Sequence, residues 1–474
     1  MGKQVTLIEP SLHVGGMMSS GLGFSDTYHS AAIGGFASQF FQNVNTYYAG
    51  SPSTNGGLYF EPHVAEAVFN SMLAQHANIT VVLGASFVSV QMTGTTITGL
   101  TASNGVTYQG GEYIDASYTG DLMAGANVSY VVGRESSSQY NELAAGVGVP
   151  WQFGTNPIDP YITPGDPSSG LIAHVESDDL PAPGSADNTV MAYNYRLCIT
   201  FDQANKIPFP VPADYDPAEF EILGRLATAA NPPMPFSNFF ATNQLPNGKL
   251  DMNQRGFFST DEVGESNGYP DGSATQRAQI EAEQRRFILA LIHFVQTDPR
   301  IPSSAQQIAN AIGLCKDEFT DNGGWPRQIY VREARRMVGA YVLTQSDLNL
   351  QTTVPDSIGV GGFTIDDHYH HIVNINGEIY LENDLGDTPS LYPISYRILT
   401  PVASQTSNLL VTVDSSSSHL AYDSMRIETT YMILGQAAGA AASLAVDAQE
   451  AVQSVDYGAL SSQLLQDGAI LTPP

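Results

Sequence analysis

The densest group of side chains that could do chemistry in this sequence lies at residues 366–371, which read Asp-Asp-His-Tyr-His-His. Histidine and carboxylate are ligands for first-row metals, but neighbouring histidines in a strand point in different directions, so we predict no metal site. His368 instead suits a general base whose imidazole is oriented by Asp366. His419 is a second candidate base, and a hydrogen-bonded structural role is the alternative for both histidines.

Residues 331–342 have the pattern of a helix that carries three arginines. On such a helix Arg332 and Arg336 share a face, with Arg335 beside them. A guanidinium group can grip a carboxylate or another oxygen-rich group in two places, so we predict that Arg332 and Arg336 bind substrate. The alternative is structural pairing with nearby acids, namely Glu333, Asp317 and Glu318.

The stretch from Val5 to Ser20 contains the elements that would position a nucleotide. Its apolar run ends on Glu9, as the second strand of a dinucleotide-binding βαβ unit ends on an acid that binds ribose. Gly15 and Gly16 follow, and glycine lets a backbone approach a ligand closely. The alternative is an ordinary buried strand followed by a glycine turn.

The glycine-rich fingerprint of such a unit belongs about 20 residues before its acid, and residues 1–8 are too short to hold it. We therefore expect the first strand, its phosphate-binding turn and its helix to be missing from this sequence.

Further along the chain, periodicity predicts helices at 34–48, from Glu61 onward, at 274–297 and at 429–446. Strands are predicted at 79–83, 86–92, 95–102, 106–113, 112–116, 192–200 and 408–413. Small residues leave one face of the last helix nearly bare, which permits a close approach to a neighbouring element. These residues are Gly435, Ala438, Gly439 and Ala442.

The composition is that of a large acidic globular protein, with 474 residues and a formal net charge of −29. This charge argues against nucleic acid or an anionic membrane as a partner, and no apolar run is long enough to span a bilayer, so we expect a soluble protein. Scarce lysines suggest an extracellular location, although no signal peptide is visible. Asn78 and Asn127 match the glycosylation pattern, and Asn127 is expected to be buried. Cys198 and Cys315 are expected to be buried free thiols, with a single bridge as the alternative.

Several motifs, in order along nearly the whole chain, resemble those of FAD-dependent oxidoreductases of the glutathione-reductase-like class, in a branch sometimes labelled xanthan-lyase-like. The matching stretches are 8–10, 15–22, 113–122, 133–135, 330–336, 365–368, 396–397, 418–422, 426 and 435–439.

The resemblance implies an α/β fold. A split Rossmann-like FAD-binding domain, incomplete at its N-terminus and carrying an antiparallel β-meander, would comprise residues 1–150 and 395–474. An interleaved α+β substrate domain would comprise residues 151–394. Without the first βα unit, we expect FAD to bind weakly unless another segment takes its place.

In this class the acid after the second strand holds the adenosine ribose, which implies Glu9. The glycine segment passes beneath the pyrophosphate, and further backbone contacts the adenine and closes over the cofactor. The start of the C-terminal helix faces the flavin. The implied residues are Gly15, Gly16, Met17, Met18, Ser19, Val88, Asp115, Ala116, Arg426, Gly435 and Gln436.

The function implied is removal of a hydride from a small, oxygen-rich, carbohydrate-like substrate to N5 of FAD, with His368 or His419 accepting the proton. A competing hypothesis is a noncatalytic binding or scaffold protein that has lost its cofactor. A polysaccharide lyase is a third option that rests on the family label alone.

Overall fold

The chain folds into an α/β structure, and the computed structural model describes residues 1–27, 29–152, 157–383 and 385–474. The strands are β1 (Val5–Glu9), β2 (Ile79–Leu83), β3 (Phe87–Thr93), β4 (Thr96–Ala102), β5 (Thr107–Tyr108), β6 (Tyr113–Asp115), β7 (Tyr130–Val131), β8 (Trp151–Gln152), β9 (Leu197–Thr200), β10 (Lys206–Ile207), β11 (Phe240–Gln244), β12 (Lys249–Gln254), β13 (Gly313–Cys315), β14 (Arg336–Met337), β15 (Ser357–Gly361), β16 (Ile365–Asp367), β17 (His371–Ile375), β18 (Glu378–Glu382), β19 (Leu385–Asp387), β20 (Tyr392–Ser395) and β21 (Leu409–Val411). The helices are α1 (Met17–Ser20), α2 (Gly35–Tyr47), α3 (Pro62–Ala74), α4 (Asp121–Gly125), α5 (Glu221–Ala229), α6 (Ala274–Thr297), α7 (Ser303–Ala311), α8 (Gln345–Leu348), α9 (His419–Met425), α10 (Glu428–Ala448) and α11 (Tyr457–Gln466).

The region that is predicted to bind a nucleotide contains two separate pairs of parallel strands. β1 pairs with β2, and β6 pairs with β21. Parallel neighbours need a crossover connection, and α1, α2 and α3 lie between β1 and β2 in the chain. Among the described residues, no strand joins the two pairs into one sheet. Apolar side chains of the first pair remain exposed, namely Val5, Leu7, Val81 and Leu83.

Helices α2 and α3 pack against each other through the apolar stripes that their sequences predict. Phe40 and Val44 of α2 and Val64 and Val68 of α3 are buried in one cluster. The rings of Phe40 and Phe69 stack with their centroids 4.4 Å apart. The predicted antiparallel meander follows β2 and consists of β3, β4 and β5.

The middle of the chain is built around an antiparallel sheet in the order β10-β13-β9-β12-β11. Every residue of its central strand β9 is buried. The long helix α6 covers the core of this region, because Phe287, Leu291 and nearby apolar residues face inward. Ser273 and Gln276 form a capping box that defines where α6 begins.

The C-terminal helix α10 follows α9 after a short break at Arg426 and Ile427. Its predicted bare face is divided, since Ala438 is buried whereas Gly435 and Gly439 are exposed. A Cβ added at either glycine would meet nothing within 4 Å. The expected close approach of a neighbouring element is therefore absent at these glycines in the described part of the chain.

The helix predicted at residues 331–342 is wrong. Residues 331–335 are irregular, and β14 pairs in antiparallel fashion with β7. A helix would have crowded the arginines on neighbouring faces, whereas the extended chain takes each of them to its own carboxylates. The residues concerned are Arg332, Arg335 and Arg336.

Smaller predictions have mixed outcomes. Cys198 and Cys315 are buried free thiols, so the alternative of a bridge is wrong. Asn127 is exposed, at a positive φ of 58°, and not buried as expected. Among the described residues, no helix is both long and apolar enough to cross a membrane.

Candidate functional site

His368 lies between two carboxylates at the end of β16. Its Nδ1 is 2.7 Å from Oδ2 of Asp261, and its Nε2 is 3.4 Å from Oδ2 of Asp366. Asp366 was predicted to orient this ring, but Asp261 from a distant loop makes the closer contact. When a carboxylate accepts a hydrogen bond from Nδ1–H, Nε2 carries no proton in the neutral ring. Nε2 can then take up a proton, as a general base must.

Asp366 connects this histidine to the start of α10. Nη2 of Arg426, the residue that follows α9, lies 2.6 Å from Oδ2 of Asp366 and also donates to its backbone oxygen. Burial alone would raise the pKa of Asp366, but His368 and Arg426 outweigh it and hold that pKa well below its usual range. Asp366 therefore stays ionised beside the imidazole.

The charges around His368 favour its protonated form. Burial and the nearby Arg332 lower the pKa of His368, whereas Asp261 and Asp366 raise it, and the net pKa is above 6.5. A base in this environment is fully available only when the pH exceeds that raised value.

Arg332 belongs to the same cluster. Its Nη2 lies 3.0 Å from Oδ1 of Asp261, and Nη1 donates to the backbone oxygen of Ala192. Nε of Arg332 is buried and has no hydrogen-bond partner among the described residues. The His368 cluster is defined here as Asp261, Arg332, Asp366, His368 and Arg426.

Arg336 and His419 belong to a second cluster. Arg336 pairs with Glu135 and Glu333 at 2.9 Å, and Nδ1 of His419 lies 2.9 Å from Oε2 of Glu135. All four side chains are almost fully buried. Arg332 and Arg336 bind different acids, so the geometry does not unite them on one anion. The His419 cluster is defined here as Glu135, Glu333, Arg336 and His419.

The Gly15–Gly16 segment passes through space that only glycine fits. Both residues have positive φ, 111° and 54°. A Cβ at Gly15 would lie 2.6 Å from a ring carbon of Phe69, and one at Gly16 would lie 2.7 Å from the hydroxyl of Tyr118. The same hydroxyl accepts a hydrogen bond from the backbone N–H of Met17 at 3.1 Å.

Tyr118 marks the point where the predicted nucleotide elements meet. It follows β6, touches the segment after β1, and lies with its ring centroid 6.2 Å from that of Tyr431 in α10. Met17 and Leu22 pack with Tyr330 and Tyr118 in one apolar cluster. The β1 end, the β6 end and the first turn of α10 are therefore neighbours. Met18 and Ser19 are buried beside them in α1.

The predicted cofactor residues at the strand ends occupy different environments. Glu9 ends β1 and accepts a hydrogen bond from the N–H of Ser11. Asp115 is buried at the end of β6, where it accepts from Ser117 and from the N–H of Met123. Ala116 and Val88 are both exposed.

Gln436 and Gly435, two predicted residues of α10, differ in their surroundings, and only Gln436 contacts α2. Oε1 of Gln436 accepts a hydrogen bond from the N–H of Phe36 at 3.0 Å. Gln436 thereby satisfies a donor in the first turn of α2, and Gly435 beside it is open to solvent.

Sequence patterns did not identify several residues at this site. Asp261 lies in the loop-rich middle of the chain, where nothing links it to His368. Burial raises the pKa of Asp26 to about 6, against the effect of Arg196 and with a further increase from Asp366. Burial raises the pKa of Glu428, the first residue of α10, to about 7. An acid that opens a long helix beside a break is a signal that could have identified Glu428.

A family model described as FAD dependent oxidoreductase matches residues 1–464. The chain belongs to the FAD-dependent oxidoreductase family. FAD is the cofactor of this family, and redox chemistry that depends on a flavin is its activity. No curated protein matches the chain.

The residues present fit FAD. At the start of α10, Oε1 of Glu428 and Nε of Arg426 are buried without a hydrogen-bond partner among the described residues. Buried polar groups are normally paired, so these two atoms suit a polar ligand at the helix N-terminus.

Proposed function

We propose that this FAD-dependent oxidoreductase oxidises a small, oxygen-rich substrate such as a carbohydrate derivative. The main support for this proposal is a series of contacts that runs from Asp261 through His368 and Asp366 to Arg426. These contacts connect a histidine held by two carboxylates to the start of α10, the helix that would face the flavin. When bound, FAD supplies the acceptor for a hydride from a C–H bond next to oxygen or nitrogen.

His368 is proposed as the base in this reaction. Asp261 holds Nδ1, and Nε2 accepts the proton of the substrate O–H or N–H as the carbon–oxygen or carbon–nitrogen double bond forms. Asp366 stabilises the resulting imidazolium. His419 is the weaker candidate because it lies, almost fully buried, in the His419 cluster.

Arg332 is proposed to bind the substrate beside His368. Two of its nitrogens are engaged by Asp261 and Ala192, which hold the guanidinium plane, while Nε lacks a partner among the described residues. Guanidinium groups suit oxygen-rich ligands, since they offer several donors in a fixed fork. Arg336 is proposed to hold Glu135 and strand β14 in place instead of binding substrate.

The cofactor is proposed to lie across the carboxyl ends of the parallel strands, where open α/β folds bind their ligands. Glu9 would bind the ribose, and the segment after β1 would run under the pyrophosphate. Val88, Asp115 and Ala116 would flank the adenine and close over the cofactor. The remaining residues in this proposal are Gly15, Gly16, Met17, Met18, Ser19, Arg426, Gly435 and Gln436.

The test starts with a visible spectrum of the purified protein, followed by anaerobic mixing with monosaccharides, sugar alcohols and uronic acids. Simple aliphatic alcohols serve as controls. We expect flavin absorption that one of the oxygen-rich classes bleaches and the aliphatic alcohols do not. A flavin that dithionite bleaches, but that no member of the panel bleaches, would overturn the proposed substrate class.

A second candidate is a binding or scaffold protein without catalysis. The exposed apolar face of β1 and β2 favours it, because a nucleotide-binding sheet is ordinarily covered on both faces. The intact His368 cluster argues against it. A colourless protein that takes up no FAD would decide for this candidate.

We further propose that tight FAD binding needs another parallel strand beside these pairs. Two observations support this proposal. No strand among the described residues joins the β1–β2 pair to the β6–β21 pair, and Val5 and Leu7 of β1 are exposed. FAD fluorescence quenching can compare this chain with one that carries an added strand, Gly-x-Gly-x-x-Gly turn and helix. Higher affinity and a higher Tm are expected with the addition. Equal affinity would contradict the requirement.

A further inference from the structure

A cluster of three potential metal ligands lies outside the redox site, in the middle region of the chain. His174 comes from a loop, Glu219 from the short turn before α5, and Glu262 from the loop before α6. One ligand atom from each residue lies within 4.8 Å of the others. Nε2 of His174 is 3.8 Å from Oε1 of Glu219, too far for a hydrogen bond and suitable for two ligands of one ion.

Two atoms of this cluster lack the partners that buried polar groups normally have. Oε2 of Glu262 and Nε2 of His174 are buried and make no hydrogen bond among the described residues. Glu262 is only 3% exposed. An unpaired buried group in a native fold calls for an explanation, and an ion between the ligands provides one.

The backbone and the rings around His174 hold it toward the acids. His174 has a positive φ of 64°, a conformation that costs energy in a residue other than glycine and often occurs at functional positions. The rings of Phe258 and Phe287 contact its imidazole edge to face, each with a centroid distance of 5.4 Å. These contacts leave Nε2 directed at the carboxylates.

Arg286, a positive side chain beside this cluster, leaves Oε2 of Glu262 without a partner in the described part of the chain. Arg286 is engaged with Glu219 and Glu283, so it holds Glu219 in place but does not reach Oε2 of Glu262 with a hydrogen bond.

A second cluster of the same residue types provides a contrast. Glu61, His63 and Glu318 also have ligand atoms within 4.8 Å of one another. There the ammonium group of Lys249 lies 2.6 Å from both Glu61 and Glu318. That cluster contains its own cation, whereas in the cluster of His174 no cation among the described residues is bound to Oε2 of Glu262.

We propose that His174, Glu219 and Glu262 bind one divalent first-row cation, and that Zn²⁺ suits them best. One imidazole nitrogen and two carboxylate oxygens are a donor set that Zn²⁺ accepts, with water as the fourth ligand of a tetrahedron. The ion would tie two loops and the turn before α5 to one another beside the middle of α6. Its role is structural, since these residues are not part of the His368 cluster.

The experiment uses the full chain without a tag, stripped with EDTA and dialysed. Zn²⁺ binding is measured by calorimetry, and Co²⁺ is titrated as a probe because its visible bands report tetrahedral coordination. The variants are His174→Asn, which tolerates positive φ and lacks Nε2, and Glu262→Gln. Glu265→Gln is the matched control, because it removes the same charge at an exposed position three residues away.

We expect the unaltered chain and Glu265→Gln to bind one more equivalent of Zn²⁺ than either site variant. Zn²⁺ should also raise the Tm of the first two proteins only. Glu262→Gln without metal should fold at least as stably as the parent, since it removes an uncompensated buried acid. Equal stoichiometry in all four proteins, or no binding at all, would overturn the proposal. If Glu262→Gln fails to fold, His174→Asn alone decides between these outcomes.

Discussion

The His368 cluster and the His419 cluster contain the same residue types in different surroundings. Each has a histidine whose Nδ1 faces a carboxylate and an arginine that binds the same carboxylate. In the His368 cluster the side chain of Asp366 is 39% exposed, whereas the acids of the His419 cluster are at most 4% exposed. Asp366 is therefore open to solvent, as the proposed exchange of protons between His368 and a substrate requires.

Residue types alone therefore do not distinguish a catalytic cluster from a structural one. A buried arginine with two carboxylates is costly to disrupt, because one partner would remain charged and unpaired. The same groups in a cluster that is partly open to solvent can titrate and reorganise around a ligand. The two histidines should therefore respond differently to the same substitution.

The largest expected effect is on the rate of flavin reduction. His368→Ala should slow reduction by about 10²–10⁴-fold, the usual contribution of a positioned base, while FAD stays bound. His419→Ala should leave the reduction rate of the folded fraction within a few-fold. Anaerobic stopped flow with the substrate found in the panel measures both. Equal rates for His368→Ala and the parent would remove His368 from the mechanism.

The next effect is on stability. Arg336→Met should lower the free energy of unfolding by about 3–5 kcal/mol, since it leaves Glu135 and Glu333 buried without their cation. Arg397→Met is the control, because Arg397 is half exposed beside Asp356 and such pairs contribute about 0–1 kcal/mol. Urea unfolding followed by fluorescence gives both values. Similar losses for the two variants would show that burial of the His419 cluster is not what stabilises it.

A smaller effect concerns substrate affinity. Arg332→Lys keeps a positive charge for Asp261 but loses the fork, so the apparent substrate constant should rise by about tenfold or more. Arg336→Lys should not change that constant in the protein that folds. Steady-state kinetics on both variants tests this difference. If the apparent substrate constant of Arg332→Lys is unchanged, Arg332 has only the structural role that the sequence analysis gives as the alternative.

Sequence patterns predicted the elements whose periodicity is local. Helices α2, α3, α6 and α10 and the meander β3–β5 are confirmed, because their apolar spacing alone matches their buried faces. The strand predicted at 106–113 is confined to β5, the strand predicted at 112–116 is confirmed as β6, and the one predicted at 192–200 is confined to β9.

Residues 331–342 also have helical spacing, but their arginines pair with acids from far along the chain, and those contacts override local propensity. Such partners cannot be read from spacing. The same reason hid Asp261, which lies 107 residues from His368 in the sequence. Sequence motifs drew attention to Asp366, His368 and Arg426, whose side chains lie in one cluster, and the contact of Asp366 with His368 was expected, whereas that of Asp366 with Arg426 was not. Their roles in catalysis and cofactor binding stay predictions.

The smallest expected effect is a shift in pH dependence. Asp261→Asn removes a carboxylate that raises the pKa of His368, so the pKa should fall and the rate should reach its plateau at lower pH. Glu135→Gln should leave the midpoint of the profile in place, because it acts in the His419 cluster. Reduction rates across a pH series compare the two. A midpoint that Glu135→Gln moves and Asp261→Asn does not would reverse the assignment of the clusters.

The most direct test of His368 as the base is the pH profile of flavin reduction in the parent protein and in His368→Ala. The base acts when deprotonated, and its pKa in the folded protein lies above 6.5. The rate in the parent should therefore rise with pH and level off only beyond a midpoint above 6.5, and the profile of His368→Ala should lack that rise. A parent rate that does not depend on pH, or the same midpoint in both proteins, would contradict the account.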